Sequence, residues 1–328
     1  MEKKQITKIG VLTSGGDAPG MNAAVRAVVR TGVHYGLEVF GIMRGYNGMV
    51  ENDIIPMNSR SVANIIQRGG TILKTARSKD FFSPEGRQKA YDNLKALGIN
   101  GLVIIGGDGS FRGAQKFSSE FDIPCVGIPG TIDKDMAGTD YTIGFDTAVN
   151  TAVDAIDKIR DTMDAHDRLF IVEVMGRDAG YIALHSGIAT GAENILIPES
   201  KTDIEDLIKS LTEKEKRKKL VNLIVVAEGD EFGGANELAK VIKERLPSAD
   251  TRVCILGHIQ RGGSPSCQDR LVASHMGYYG VESLMIGRYN VMVGMMNNKI
   301  HYTPLDKAVK ERKTIGHEWM KIVKILAS

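Results

Sequence analysis

The 328-residue sequence predicts an α/β fold built on mainly parallel sheets. Three observations carry this. Short apolar runs rich in β-branched residues recur without polar alternation, as strands buried on both faces require. Most lead into a glycine-containing turn and then a segment with helical apolar spacing. The length, at roughly 150 residues per domain, suggests two domains with ample core. In chain order the strand candidates are residues 9–12, 102–105, 125–128, 169–174, 223–226 and 253–256. Helical spacing is read in Phe145, Val149, Ala152, Val153, Ile156 and Ile159, in Ile204, Leu207, Ile208 and Leu211, and in Trp319, Ile322, Val323 and Leu326. No proline- or serine-rich linker marks a boundary. The run KEKRKK at 214–219 reads as a solvated helix end or as an anion-binding cluster.

Composition excludes several classes. Hydrophobic residues are 42% and charged residues 25%, which is ordinary globular usage rather than disorder or a fibrous repeat. The formal net charge of +2 gives no global field for nucleic acid or membrane. Cys125, Cys254 and Cys267 form no CxxC pair, so neither a disulfide frame nor a zinc cluster is expected, and a reducing, cytoplasmic location fits best. The first ten residues lack the apolar core of a signal peptide, and no apolar run reaches the ~18 residues of a membrane helix. Glycine is over-represented, with 37 residues, against a usual share of about 7%.

Those glycines concentrate where ligands bind in open parallel sheets, beyond the carboxyl ends of strands. TSGGDAPGMN at 13–22 follows the first strand; a tight strand-to-helix turn explains it as well as a phosphate site does. It is neither a Walker A loop nor a correctly spaced GxGxxG. GGDGS at 106–110 combines glycines that admit phosphates with Asp108, suited to magnesium. PGTIDKD at 129–135 sets Asp133 and Asp135 beside Thr131; Asp suits the base that phosphoryl transfer to an alcohol needs, although both could cap a turn. Arg177 in VMGRDAG, and Arg252, His258 and Arg261 around GHIQRGGSP, suit a phosphorylated acceptor. Together these residue types specify a small-molecule kinase site, with the acceptor left unnamed.

In this order, GVLTSGGDAPGMNAA, RGGT, GGDGS, PGTIDKD, TDYTIGFDTA, VEVMGR and GHIQRGGSP resemble the bacterial ATP-dependent 6-phosphofructokinase family across essentially the whole chain. The resemblance implies two Rossmann-like three-layer domains, the larger from residues 1–143 and 259–309 and the smaller from 144–258 and 310–328. It implies transfer of the ATP γ-phosphoryl group to O1 of fructose 6-phosphate with Mg²⁺. Gly16, Arg77, Ser78, Gly107, Asp108, Gly109 and Ser110 would hold ATP, and Asp108 the metal. Asp133 would be the base, with Thr131 and Arg177 also catalytic. Thr131, Ile132, Asp133, Met175, Gly176, Arg177, Glu228, His258, Ile259, Gln260 and Arg261 would bind the sugar phosphate. Arg168 and Arg252 would complete that site from a neighbouring subunit of a homotetramer. An ADP or phosphoenolpyruvate effector would meet Arg26, Arg30, Arg160, Glu193 and Lys219.

Three positions depart from the family pattern: Lys134 stands where Asn is common, Ser78 where an aromatic is common, and Ser59 where an effector-site Arg is expected. The pyrophosphate-dependent relatives commonly carry Asp after GGD and Lys in place of the Gly of PGTID. Gly109 and Gly130 therefore favour ATP. A non-catalytic nucleotide sensor would need neither Asp108 nor Asp133, and a nicotinamide dehydrogenase would need a GxGxxG loop that is absent.

Overall fold

The computed structural model describes residues 4–164, 168–216 and 222–326. Its described strands are β1 (Lys8–Ser14), β2 (Glu38–Ile42), β3 (Ile54–Met57), β4 (Gly101–Gly106), β5 (Cys125–Pro129), β6 (Leu169–Val174), β7 (Asn194–Leu196), β8 (Asn222–Ala227), β9 (Thr251–Ile255), β10 (Val291–Met296) and β11 (Lys299–Pro304). The helices are α1 (Met21–His34), α2 (Tyr46–Glu51), α3 (Pro84–Leu97), α4 (Asp108–Phe121), α5 (Phe145–Asp164), α6 (Tyr181–Ala189), α7 (Ile204–Lys216), α8 (Ala235–Arg245), α9 (Cys267–Met285), α10 (Leu305–Ala308) and α11 (His317–Leu326).

Two compact units result, each with its own sheet. The first gathers residues 1–132, 136–147 and 261–313; the second gathers 133–135, 148–260 and 314–328. The first sheet runs β11-β10-β5-β4-β1-β2-β3, parallel except where the outer strands β3 and β11 pair antiparallel with their neighbours. The second runs β7-β8-β6-β9, all parallel. As the continuous apolar runs require, β4, β5 and β8 are buried at every position.

Local chemistry sets the helix ends. Ser83 accepts from the Gly86 amide to open α3, with Pro84 in the first turn, and Gly98 closes it in the left-handed conformation. In the first unit α9 packs on α1, and a Cβ on Gly277 would stand 2.6 Å from that of Ala27, so only glycine allows the approach. The first core joins Leu12, Ile104, Phe111 and Phe117; the second joins Ile171, Ile224, Leu238 and Ile242.

Candidate active site

In the first unit, Ser14, Gly106 and Pro129 stand in register at the ends of neighbouring β1, β4 and β5. All three glycine loops therefore leave one sheet edge side by side. The Gly130 amide donates to the Gly106 carbonyl at 3.0 Å, which ties the second loop to the third. Thr131 is buried, close to the Gly107 backbone. Gly107 precedes α4 and Asp108 is its first residue, so the loop runs into a helix start. Asp108 Oδ1 accepts from the Gly109 amide at 2.7 Å, while Oδ2 lies 3.3 Å from Arg112 Nη2.

A Cβ on Gly109 would meet open space, whereas one on Gly130 would stand 3.1 Å from Ile105 Cγ2. A Cβ on Gly16 would lie 2.5 Å from Arg261 Nη1, the movable end of a flexible side chain. That same nitrogen donates to the Asp17 carbonyl at 3.1 Å, which places Arg261 over the first loop. Arg77 is exposed, but Ser78 is buried and its Oγ accepts from the Phe81 amide at 3.3 Å.

Sequence reasoning missed two residues that shape this half. Asn22 is buried at the start of α1. It donates to the Arg68 and Gly69 carbonyls at 3.0 and 3.2 Å and accepts from the Ile72 amide at 2.7 Å, so it holds the RGGT segment in place. Its signal was an amide in an otherwise apolar helical face. Tyr46 donates its hydroxyl to the Ser110 carbonyl, and burial pushes that hydroxyl well above the ordinary tyrosine range.

In the second unit, four residues expected to bind the acceptor, Met175, Gly176, Arg177 and Glu228, lie just beyond the carboxyl ends of β6 and β8. Met175 is buried and its amide meets Gln260 Oε1 at 3.3 Å. Gly176 has φ +143°, and a Cβ there would stand 2.2 Å from the Ala179 carbonyl oxygen; Arg177 follows at φ +52°. Glu228 Oε1 holds this bend by accepting from the Gly176 and Arg177 amides at 3.1 and 2.7 Å. The bend delivers Arg177 Nε to 3.7 Å from Oδ2 of Asp133, whose side chain is 5% exposed. Such a guanidinium orients the carboxylate. Lys134 continues the loop in the left-handed region, φ +56°, with its ammonium 6.0 Å from the centroid of Tyr181.

Other expected residues are placed differently. Ile132 is fully buried, and the enclosed Gln260 donates to the Gly257 carbonyl, whereas His258 and Ile259 are exposed. Arg168 and Arg252 both pair with Asp250, at 2.9 and 3.0 Å, and these cations hold its carboxyl below the usual range. They stand at the amino-terminal ends of β6 and β9, the length of β6 or about 17 Å from its Met175–Arg177 end. Arg26 and Arg30 share one face of α1; burial and then the Arg30 charge lower the Arg26 pKa. Arg160 donates to the Gly191 carbonyl, and Glu193 accepts from the Leu223 amide at 2.7 Å. Ser59 is half-buried and Arg60 exposed, and Lys219 lies outside the described residues.

Asp108 fits a magnesium ion. One partly exposed carboxylate at a helix start, among glycines that admit phosphates, matches an ion held largely by nucleotide oxygens and water. Among the described residues no group of three or more His, Cys, Asp or Glu forms an all-protein cage. Nor is any described helix long and apolar enough to cross a membrane.

A sequence model of the Phosphofructokinase family matches residues 8–284. The chain is 56% identical over 319 residues to the ATP-dependent 6-phosphofructokinase of Thermoanaerobacter pseudethanolicus, covering 97% of this chain and 99% of that one. It is 55% identical to ATP-dependent 6-phosphofructokinase 1 of Thermus thermophilus, covering 98% and 99%. Among solved structures, phosphofructokinase from Saccharomyces cerevisiae superposes with a TM-score of 0.86 at 39% identity, covering 93% of this chain and 45% of the yeast chain. The pyrophosphate-dependent enzyme of Marinobacter aquaeolei shares the fold at 23% identity, TM-score 0.85, covering 95% and 86%.

Proposed function

Because this chain belongs to the phosphofructokinase family, we propose that it transfers the γ-phosphoryl group of ATP to O1 of fructose 6-phosphate, giving fructose 1,6-bisphosphate and ADP in the cytoplasmic glycolytic pathway. The observation that carries the reading is the register of Ser14, Gly106 and Pro129, which lines up three glycine loops and leads the third into Asp133. Amides of the Gly107–Ser110 turn, with Gly16 and Arg77, hold the nucleotide phosphates. Mg²⁺ on Asp108 would neutralise charge on those oxygens.

Asp133 takes the proton from the sugar O1 hydroxyl, oriented by Arg177, while Thr131 stands at the same loop to donate toward the moving phosphoryl group. Glu228, Met175, Gly176, Arg177, His258 and Arg261 bind the sugar phosphate. The position of Arg168 and Arg252 at the far end of β6 and β9 supports their serving a neighbouring subunit's site in a homotetramer. Arg26, Arg30, Arg160 and Glu193 would bind ADP or phosphoenolpyruvate, weakly, since Ser59 removes one cation. Open space at Gly109 favours ATP over pyrophosphate.

The test is ADP release with and without fructose 6-phosphate, beside pyrophosphate as donor. Sugar-dependent ADP release with negligible pyrophosphate use is expected; preference for pyrophosphate overturns the donor assignment.

A further inference from the structure

Lys134 stands between Asp133 and Asp135 at φ +56°, a left-handed conformation that lysine seldom adopts and that Asn or Gly takes more readily. A long side chain stays in such a conformation when its surroundings hold it there. The loop is anchored through its backbone on either side, where Gly130 bridges to Ile143 and Met136 to Arg312. Between those bridges two cations are placed. Arg177 Nε lies 3.7 Å from Asp133, and the Lys134 ammonium lies 6.0 Å from the centroid of the Tyr181 ring.

That ring is a fixed platform. Tyr181 is the first residue of α6 and is 6% exposed. Gly180, just before it, packs so closely that a Cβ would stand 2.4 Å from that of Ile197, and its amide is held by Glu199 at 3.0 and 3.1 Å. The Tyr181 hydroxyl is buried and has no hydrogen-bond partner among the described residues, so the ring is placed by packing and not by its phenol. Burial first, then the charges of Glu199 and Asp135, push that phenol up to about 12, and it stays neutral. The face of a tyrosine ring attracts an ammonium within about 6 Å, more strongly when water is excluded.

We propose that Lys134 is a positioning residue for the base: docked on the Tyr181 ring, its ammonium holds the left-handed backbone that sets Asp133 beside Arg177. The inference rests on the functional reading given above, in which Asp133 takes the proton. Lys134 acts through Asp133 and governs turnover rather than substrate binding.

Lys134→Asn tolerates the left-handed backbone but removes the cation. It lowers kcat about fivefold, as loss of one cation–π contact does, while the KM values for ATP and fructose 6-phosphate and the melting temperature stay unchanged. Lys134→Arg keeps a cation on the ring and retains turnover. Tyr181→Phe keeps the ring face without the hydroxyl and retains it too. In a Tyr181→Leu background Lys134→Asn lowers kcat no further, because both changes remove the same contact. A merely structural pair would shift the melting temperature and leave the kcat of the folded enzyme alone. Wild-type kcat in Lys134→Asn, a loss in Tyr181→Phe equal to that in Lys134→Asn, or losses that multiply in the double variant overturn the proposal. Should Tyr181→Leu fail to fold, the Asn, Arg and Phe variants decide it. Failure of the wild type to turn over ATP with fructose 6-phosphate would instead overturn the functional reading, and this inference with it.

Discussion

Asp133 and Asp108 are two carboxylates in neighbouring loops with different surroundings, and their variants separate their roles. Asp133 is enclosed beside Arg177, so Asp133→Asn keeps the shape but cannot take a proton. Turnover is expected to fall by about 10²–10⁴-fold with melting unchanged, and near-normal turnover in a steady-state assay would remove Asp133 from the base role. Asp108 is partly open to solvent at a helix start. Asp108→Ala shifts the magnesium dependence of the rate to higher concentrations; a magnesium titration matching the wild type would exclude it as the ligand. Both aspartates were legible because each sits in a short glycine-flanked motif after an apolar strand. Asn22 and Tyr46 were not, because their work is done on carbonyls 46 and 64 residues away, and nothing local announces a partner at that distance.

At the scale of the element, the continuous apolar runs at β1, β4, β5, β6 and β8 were legible because burial on both faces leaves an unbroken pattern, whereas the run at β9, expected to be buried in the same way, belongs to an edge strand with Arg252 and Ile255 exposed. The three-residue β7 is too short to show a period, and β11 alternates as a sheet-edge strand does. Helix starts were harder still. Asp269, on α9, accepts from the Gly144 and Thr147 amides at 2.8 Å each, serving α5 across more than a hundred residues. At the start of α6, Glu199 accepts from the Gly180 amide at 3.0 and 3.1 Å, and burial holds its carboxyl above the usual range. A carboxyl raised in the folded state contributes stability that is complete below the ordinary glutamate value of about 4.3 and is lost as pH rises through the raised value. The melting-temperature difference between wild type and Glu199→Gln therefore shifts in favour of the wild type as pH falls from 8 toward 5. Thermal melts across that range check it, and a difference independent of pH would mean that Glu199 does not titrate there.

For the whole molecule, residue patterns alone carried the α/β class and the loops, while the route of the chain was implied only by the family resemblance, since returns to an earlier unit leave no compositional mark. The arginines at the amino ends of β6 and β9 belong to this scale. If they serve a neighbour, co-expressed Asp133→Asn and Arg252→Ala chains regain activity that neither has alone, because some sites in mixed assemblies receive an intact residue from each chain. Absence of recovery in verified hetero-oligomers would count against shared sites.

The interleaved route also bears on synthesis. The four-stranded sheet lies wholly between residues 169 and 255, so all its strands have left the ribosome before β10 and β11 are made. The seven-stranded sheet, begun first, is finished last. Until residue 291 emerges, β5 is an unpaired, wholly apolar edge on the nascent chain, open to any passing strand. The sheet that carries the glycine loops thus spends the making of more than 150 residues with its most adhesive side uncovered, and chaperone demand during translation should concentrate there rather than on the later-starting, earlier-finished sheet.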